Sequence, residues 1–228
     1  MNKKNRVLGV ITYNKADSMC KDRIENWKHY TDADKVLFSG GDKEFWSPND
    51  AYTISVGEDK YPSNDPKDID LNLPIRLMET LAKLVELSEE PENVEVILIE
   101  PDVWFWDYIP LNDGFTGCKR LNSKIDENDE RVYWHWPYII AGKNNAIKLL
   151  CTMRTLLKYN ASCNPWGSYP DRFMGLALEL TDINVVEGNQ VSFDRLGKNN
   201  IGYCAGRRRT RAYAIHGIKS WDLFGRLR

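Results

Sequence analysis

The chain has 228 residues, 42% hydrophobic, 11% aromatic and 28% charged, enough for one α/β domain with a sizeable core and too apolar for intrinsic disorder. No apolar run approaches the roughly 18 residues of a membrane helix, and the basic start is followed by too short an apolar stretch for a signal peptide, so the expectation is a cytoplasmic protein with no membrane span. A net charge of −2 conceals two unlike halves: residues 1–130 carry 16 basic and 27 acidic side chains for −11, residues 131–228 carry 15 and 6 for +9, and the basic half is suited to facing an anion such as a diphosphate or a nucleic acid.

In chain order, Val7 to Thr12 is a short β-branched run that reads as a buried strand. A helix pattern follows from about Asp17 to Tyr30, with Asp17 or Ser18 able to cap it. Lys35 to Ser39 and Tyr52 to Val56 read as the next two strands, and a Pro- and Asp-rich loop follows to Asp70. Pro74 is expected to open a helix whose apolar positions Leu77, Met78, Leu81, Leu84 and Val85 fit a 3.6-residue period. Val94 to Ile99 is the most apolar strand and runs directly into Glu100-Pro101-Asp102. Strands alternating with helices predict an α/β fold, a mostly parallel twisted sheet flanked by helices.

In the second half, Gly114 to Glu130 is polar and reads as a mobile loop, and Val132 to Ile140 as an aromatic strand with Tyr133, Trp134, Trp136 and Tyr138. Helices are expected at Asn144 to Tyr159 and Asp171 to Leu180, with a strand at Ile183 to Val186. No repeat or linker divides the chain, so one domain spans 1–228. The five cysteines, Cys20, Cys118, Cys151, Cys163 and Cys204, form no CxxC pair and read as reduced thiols rather than a disulfide or zinc framework.

Three features carry chemistry. Glu100 and Asp102 sit at the carboxyl end of an apolar strand, the position where parallel sheets open onto a ligand crevice. Two carboxylates one residue apart suit a divalent cation that also takes diphosphate oxygens, and they equally suit an idle acidic turn. His216, with Lys219 three residues later, offers a borderline ligand for Mn²⁺ and a cation for phosphate, although a lone histidine is more often structural. The loop from Asn164 to Pro170 delivers Asp171 to the first turn of a helix, as a cap or as a general base beside Trp166 and Tyr169.

The order of these features resembles a nucleotide-sugar glycosyltransferase of the GT-A fold, most of all the fringe and core-1 galactosyltransferase branch. The resemblance rests on a strand followed by Thr12-Tyr13-Asn14, a strand followed by Glu100-Pro101-Asp102, Ile139-Ile140-Ala141-Gly142 before a helix, Pro170-Asp171 with Gly175 four residues on, and a late His216. It implies a single GT-A-like (Rossmann-like) domain, with 1–107 as the nucleotide-sugar-binding half and 108–228 as the acceptor-binding half. It also implies Asp102 and His216 as metal ligands with Glu100 near the metal or ribose, a Mn²⁺ or Mg²⁺ cofactor, Thr12, Tyr13 and Asn14 at the nucleotide of a UDP-sugar donor, Lys219 at the diphosphate, and Asp171 as the base of an inverting transfer. Two positions depart from the branch: Glu100 replaces the first Asp of the DxD motif, and Pro170 replaces the acid before the base.

For the acceptor, Arg207, Arg208 and Arg209 precede His216 and are expected at the site's rim, with Trp134, Trp136, Trp166 and Tyr169 available to stack a sugar or a base. A transferase with a basic half suits a hydroxymethylated base in DNA, as some phage enzymes modify, which would place it in a host's cytoplasm; a surface-glycan precursor is the other acceptor. A metal-dependent nuclease or phosphoesterase built on Glu100 and Asp102 is the reading from another class. It lacks a lysine on the following strand, because Lys119, Arg120 and Lys124 fall in the polar loop. A DNA-binding module without catalysis leaves the strand-end acids unexplained.

Overall fold

The computed structural model of the chain describes residues 5–12, 17–41, 44–58, 71–88, 93–105, 107–109, 113–121, 132–160, 170–187, 190–192 and 214–216. The apolar opening segment forms β1 (Asn5–Ile11), which lies between β2 (Lys35–Gly40) and β4 (Val94–Ile99) and runs parallel to both. Beyond β2 lies β3 (Tyr52–Ser55), also parallel. On the other side, β7 (Val132–Ala141) pairs antiparallel with β4, β6 (Gly114–Leu121) antiparallel with β7, and β8 (Val185–Glu187) parallel with β6. The result is a seven-stranded, mostly parallel sheet of order β3-β2-β1-β4-β7-β6-β8. A second sheet of three strands has the order β5 (Trp104–Phe105), β10 (Ala214–His216), β9 (Gln190–Ser192).

Four helices belong to the described residues: α1 (Asp17–Thr31), α2 (Asn72–Leu87), α3 (Lys143–Asn160) and α4 (Pro170–Glu179). Strands covered on both faces read as continuous apolar runs, and β4 is buried at all six positions. Its one carboxylate, Glu95, is matched there by Arg6 Nε at 2.8 Å, and Arg6 Nη1 donates onward to the Thr31 carbonyl at 3.0 Å. Helix α2 approaches β1 closely because Gly9 has no side chain; a Cβ there would sit 2.7 Å from a Leu84 methyl and 2.9 Å from one of Leu98.

Two expectations are corrected. Residues 114–121 are a strand paired on both sides, not a mobile loop. Helix α2 starts at Asn72, so Pro74 lies inside the first turn, where a missing N–H costs nothing. In the β6–β7 ladder the register shifts between Thr116 and Cys118, opposite Pro137, whose missing N–H interrupts the hydrogen bonding.

Candidate active site

The sheet order defines where a ligand fits. From β1 the chain goes outward to β2 and β3, then returns to β4 on the other side of β1. Such a reversal leaves a crevice outside the carboxyl ends of the two strands. Thr12 closes β1 at that crevice and Glu100-Pro101-Asp102 closes β4.

Thr12 is buried and tied to the neighbouring strand: its main-chain N–H donates to the Ser39 carbonyl at 2.7 Å and its hydroxyl to the same oxygen at 2.9 Å. Its side chain therefore joins two strand ends, and contact with a nucleotide falls to its main chain. Ser39 Oγ, buried at the same end of β2, has no hydrogen-bond partner among the described residues. The Thr12 carbonyl accepts from Arg76 Nη1 at 2.9 Å, while Arg76 Nε donates to the Val56 carbonyl at 2.9 Å and Nη2 to that of Glu58 at 2.8 Å. One fully buried guanidinium thus ties the end of β1 to the segment after β3. Sequence reasoning missed Arg76; the available signal was a lone cation between apolar positions of an amphipathic helix.

At the end of β4 the Val103 N–H donates to the Glu100 carbonyl at 3.1 Å, closing a turn around Pro101 and Asp102. Helix α1 anchors residues 103–105 just beyond that turn. Trp27 Nε1 donates to the Val103 carbonyl at 2.8 Å, and the Asn26 amide exchanges two hydrogen bonds with the Phe105 main chain at 2.7 and 2.9 Å. Asp102 is 3% exposed and Glu100 half-buried. Arg23 of α1, 2% exposed, is the charge neighbour of Asp102; burial pulls its guanidinium below the usual range, and Asp102, Asp22 and Cys20 oppose that shift.

Two carboxylates and an imidazole form a donor set suited to Mn²⁺ or Mg²⁺. Among the described residues no three His, Cys, Asp or Glu side chains converge, so His216 is the residue needed to complete such a set. The register is compatible with that: β10 runs antiparallel to β5 with Ala214 opposite Phe105 and Ile215 opposite Trp104, and one step further sets the main chain of His216 beside Val103.

Across the crevice, α4 begins beside β7. Asp171 is the acid of its first turn, which the helix dipole favours. The hydroxyl of Tyr138 lies 3.3 Å from Asp171 Oδ1 and donates to the Trp134 carbonyl. The Tyr138 ring is fully buried, stacked on Trp136 with centroids 4.0 Å apart and tilted against Phe115 at 5.7 Å.

That packing corrects the acceptor-binding expectation for Trp134 and Trp136, which are 5% and 0% exposed. Strand β7 is interior to the sheet, so its rings fill the core instead of lining a rim. Tyr13, Asn14, Trp166, Tyr169, Arg207, Arg208, Arg209 and Lys219, and the side chain of His216, lie outside the described residues.

No family model matches the chain, and no curated protein matches it. Solved structures do. One is the galactosyltransferase LgtC in complex with donor and acceptor sugar analogues, similar over 97% of this chain and 93% of that one, at 13% identity and a TM-score of 0.50. Another is an active-site mutant of LgtC, with the same coverage and identity and a TM-score of 0.53. The fold is GT-A-like. In a GT-A-like sheet the crevice at the ends of β1 and β4 is the chain's candidate active site, and Asp102, Glu100 and Asp171 are the described acids that border it. Among the described residues no helix is long and apolar enough to cross a membrane.

Proposed function

We propose that this chain is a glycosyltransferase that moves a sugar from a nucleotide-sugar donor, UDP-linked, to an acceptor hydroxyl with inversion. The observation that carries this reading is the switch of strand order between β1 and β4, with Glu100-Pro101-Asp102 closing β4 at the resulting crevice. The fold shared with LgtC, a galactosyltransferase solved with donor and acceptor analogues, supports it.

In this mechanism the nucleotide lies against Thr12, Tyr13 and Asn14, with Ser39 Oγ as a further partner. Asp171 takes the proton of the acceptor hydroxyl as the oxygen attacks the anomeric carbon, and the nucleoside diphosphate leaves with the bonding pair. Lys219 stabilises the charge on the departing group. Asp102, Glu100 and His216 would hold a divalent cation, which when bound supplies further charge neutralisation there. Trp166 and Tyr169 stack the acceptor, and Arg207, Arg208 and Arg209 engage its anionic surroundings. With a half-chain charge of +9 on that side, a hydroxymethylated base in DNA is the acceptor favoured over a surface-glycan precursor.

Thermal shift against UDP- and GDP-sugars, with and without Mn²⁺, tests donor binding; ligand at a hundred times its Kd stabilises by about 2.7 kcal/mol. Asp171→Asn should keep that shift and lose transfer by about 100-fold or more. No stabilisation by any nucleotide sugar defeats the reading.

A further inference from the structure

We infer that Tyr138 is a positioning residue for Asp171, placed to accept a hydrogen bond from that carboxyl once it holds the acceptor's proton. The inference rests on Asp171 being the base of the proposed transfer. A phenol has one hydrogen, and two acceptors face it here: the Trp134 carbonyl and Asp171 Oδ1 at 3.3 Å. The carbonyl is much the closer, so the hydrogen lies on it and a lone pair of the Tyr138 oxygen faces Asp171. An ionised carboxylate can only accept and gains nothing from that lone pair. A protonated carboxyl has an O–H to donate and completes a chain from Asp171 through Tyr138 to the Trp134 carbonyl.

The contact therefore strengthens as the reaction proceeds, which is the condition for a residue to raise turnover instead of substrate affinity. In the step, the acceptor O–H bond breaks and an O–H bond forms on Asp171. The acceptor oxygen bonds the anomeric carbon, the bond from that carbon to the diphosphate breaks, and Tyr138 keeps its hydrogen throughout. The hydroxyl is held in place from both sides by the Trp136 stack and by Phe115, so no rotamer is lost in reaching it.

Tyr138→Phe tests the inference. It should lower kcat about 10-fold while the donor Kd and acceptor KM stay within twofold of wild type. 3-Fluorotyrosine at 138, nearly isosteric and a weaker acceptor, should lower kcat two- to threefold and keeps the test open if the phenylalanine variant fails to fold. A purely structural Tyr138 predicts a lower melting temperature with unchanged kcat for the folded protein, and that result overturns the inference. Asp171→Asn run beside it separates the two ideas: if that variant turns over normally, the base assignment and this inference both fall. If it is inactive while both Tyr138 replacements match wild-type kcat, only the inference falls.

Discussion

A guanidinium buried at the end of a sheet is tolerable only when its donors are matched, and Arg76 places three of its N–H groups on the main-chain carbonyls of Thr12, Val56 and Glu58. Arg76→Met removes those donors and leaves three acceptors in a region water does not reach. At about 1 kcal/mol for each, the loss is about 3 kcal/mol in a urea titration. Arg76→Lys should recover only part of it, because one ammonium cannot span three separated carbonyls. If Arg76→Met unfolds at the wild-type urea midpoint, the clamp contributes nothing. At the surface the scale is smaller. Lys148 bonds the Asp182 carboxylate at 2.8 Å and holds it below the ordinary Asp range, by that hydrogen bond first and by charge second, and Lys28 does the same for Asp50. A carboxylate whose value is lowered on folding adds stability above its unfolded value, about 4, and loses it as pH falls through the folded one. Both acids are fully exposed, so the contribution is small and salt-sensitive. Lys148→Met should return Asp182 to the ordinary range in a carboxyl NMR titration; an unmoved titration shows that the lysine is not the cause.

Elements depend on residues of this kind at their ends. Strand β6 starts at Gly114, with φ at +93°, and a Cβ there would lie 2.1 Å from the main-chain oxygen of Asn184, the atom that accepts the Phe115 N–H at 2.8 Å. Gly114→Ala should therefore cost about 1–3 kcal/mol from backbone strain, with more from the clash, because the blocking atom is main chain and cannot rotate away. Equal stability in chemical denaturation would show that the start of β6 shifts freely. This strand also shows why the second half was hard to read. Gly-Phe-Thr-Gly-Cys-Lys-Arg-Leu has two glycines and two cations and little propensity of its own; β7 and β8 on either side supply its hydrogen bonds. The parallel strands β1, β2 and β4 were legible because burial on both faces writes itself as unbroken apolar sequence. The aromatic run in β7 was legible as a strand, but whether Trp134 and Trp136 face a pocket or the core depends on the strand's place in the sheet, which no local pattern encodes. The site divides in the same way. Glu100 and Asp102 stand out because a strand end is a local feature, whereas Arg23, Arg76 and Tyr138 acquire meaning only from what packs across from them.

At the scale of the molecule the charge division meets the topology. Strands β1 to β4, whose ends form the crevice, belong to the half with net charge −11, while β7, α3, α4 and β10 belong to the half with +9. An anionic donor entering a crevice in the acidic half needs cations from elsewhere, and β10 is the element of the basic half that reaches the strand-end turn, through its pairing with β5. Two anions are then open to that half, the donor's diphosphate alone or the diphosphate together with a nucleic-acid backbone. They differ in salt dependence. A diphosphate engages a few charges at one point, while duplex DNA releases counterions with a log–log slope of about −0.9 for each phosphate contacted. For a DNA acceptor, binding to a duplex with hydroxymethylated bases should fall with a slope of about −3 or steeper between low and physiological salt. UDP binding over the same range should weaken far less. A duplex that is not bound in the micromolar range, or a slope no steeper than that of UDP, restricts the basic half to the donor and removes DNA as the acceptor, with the transferase reading intact.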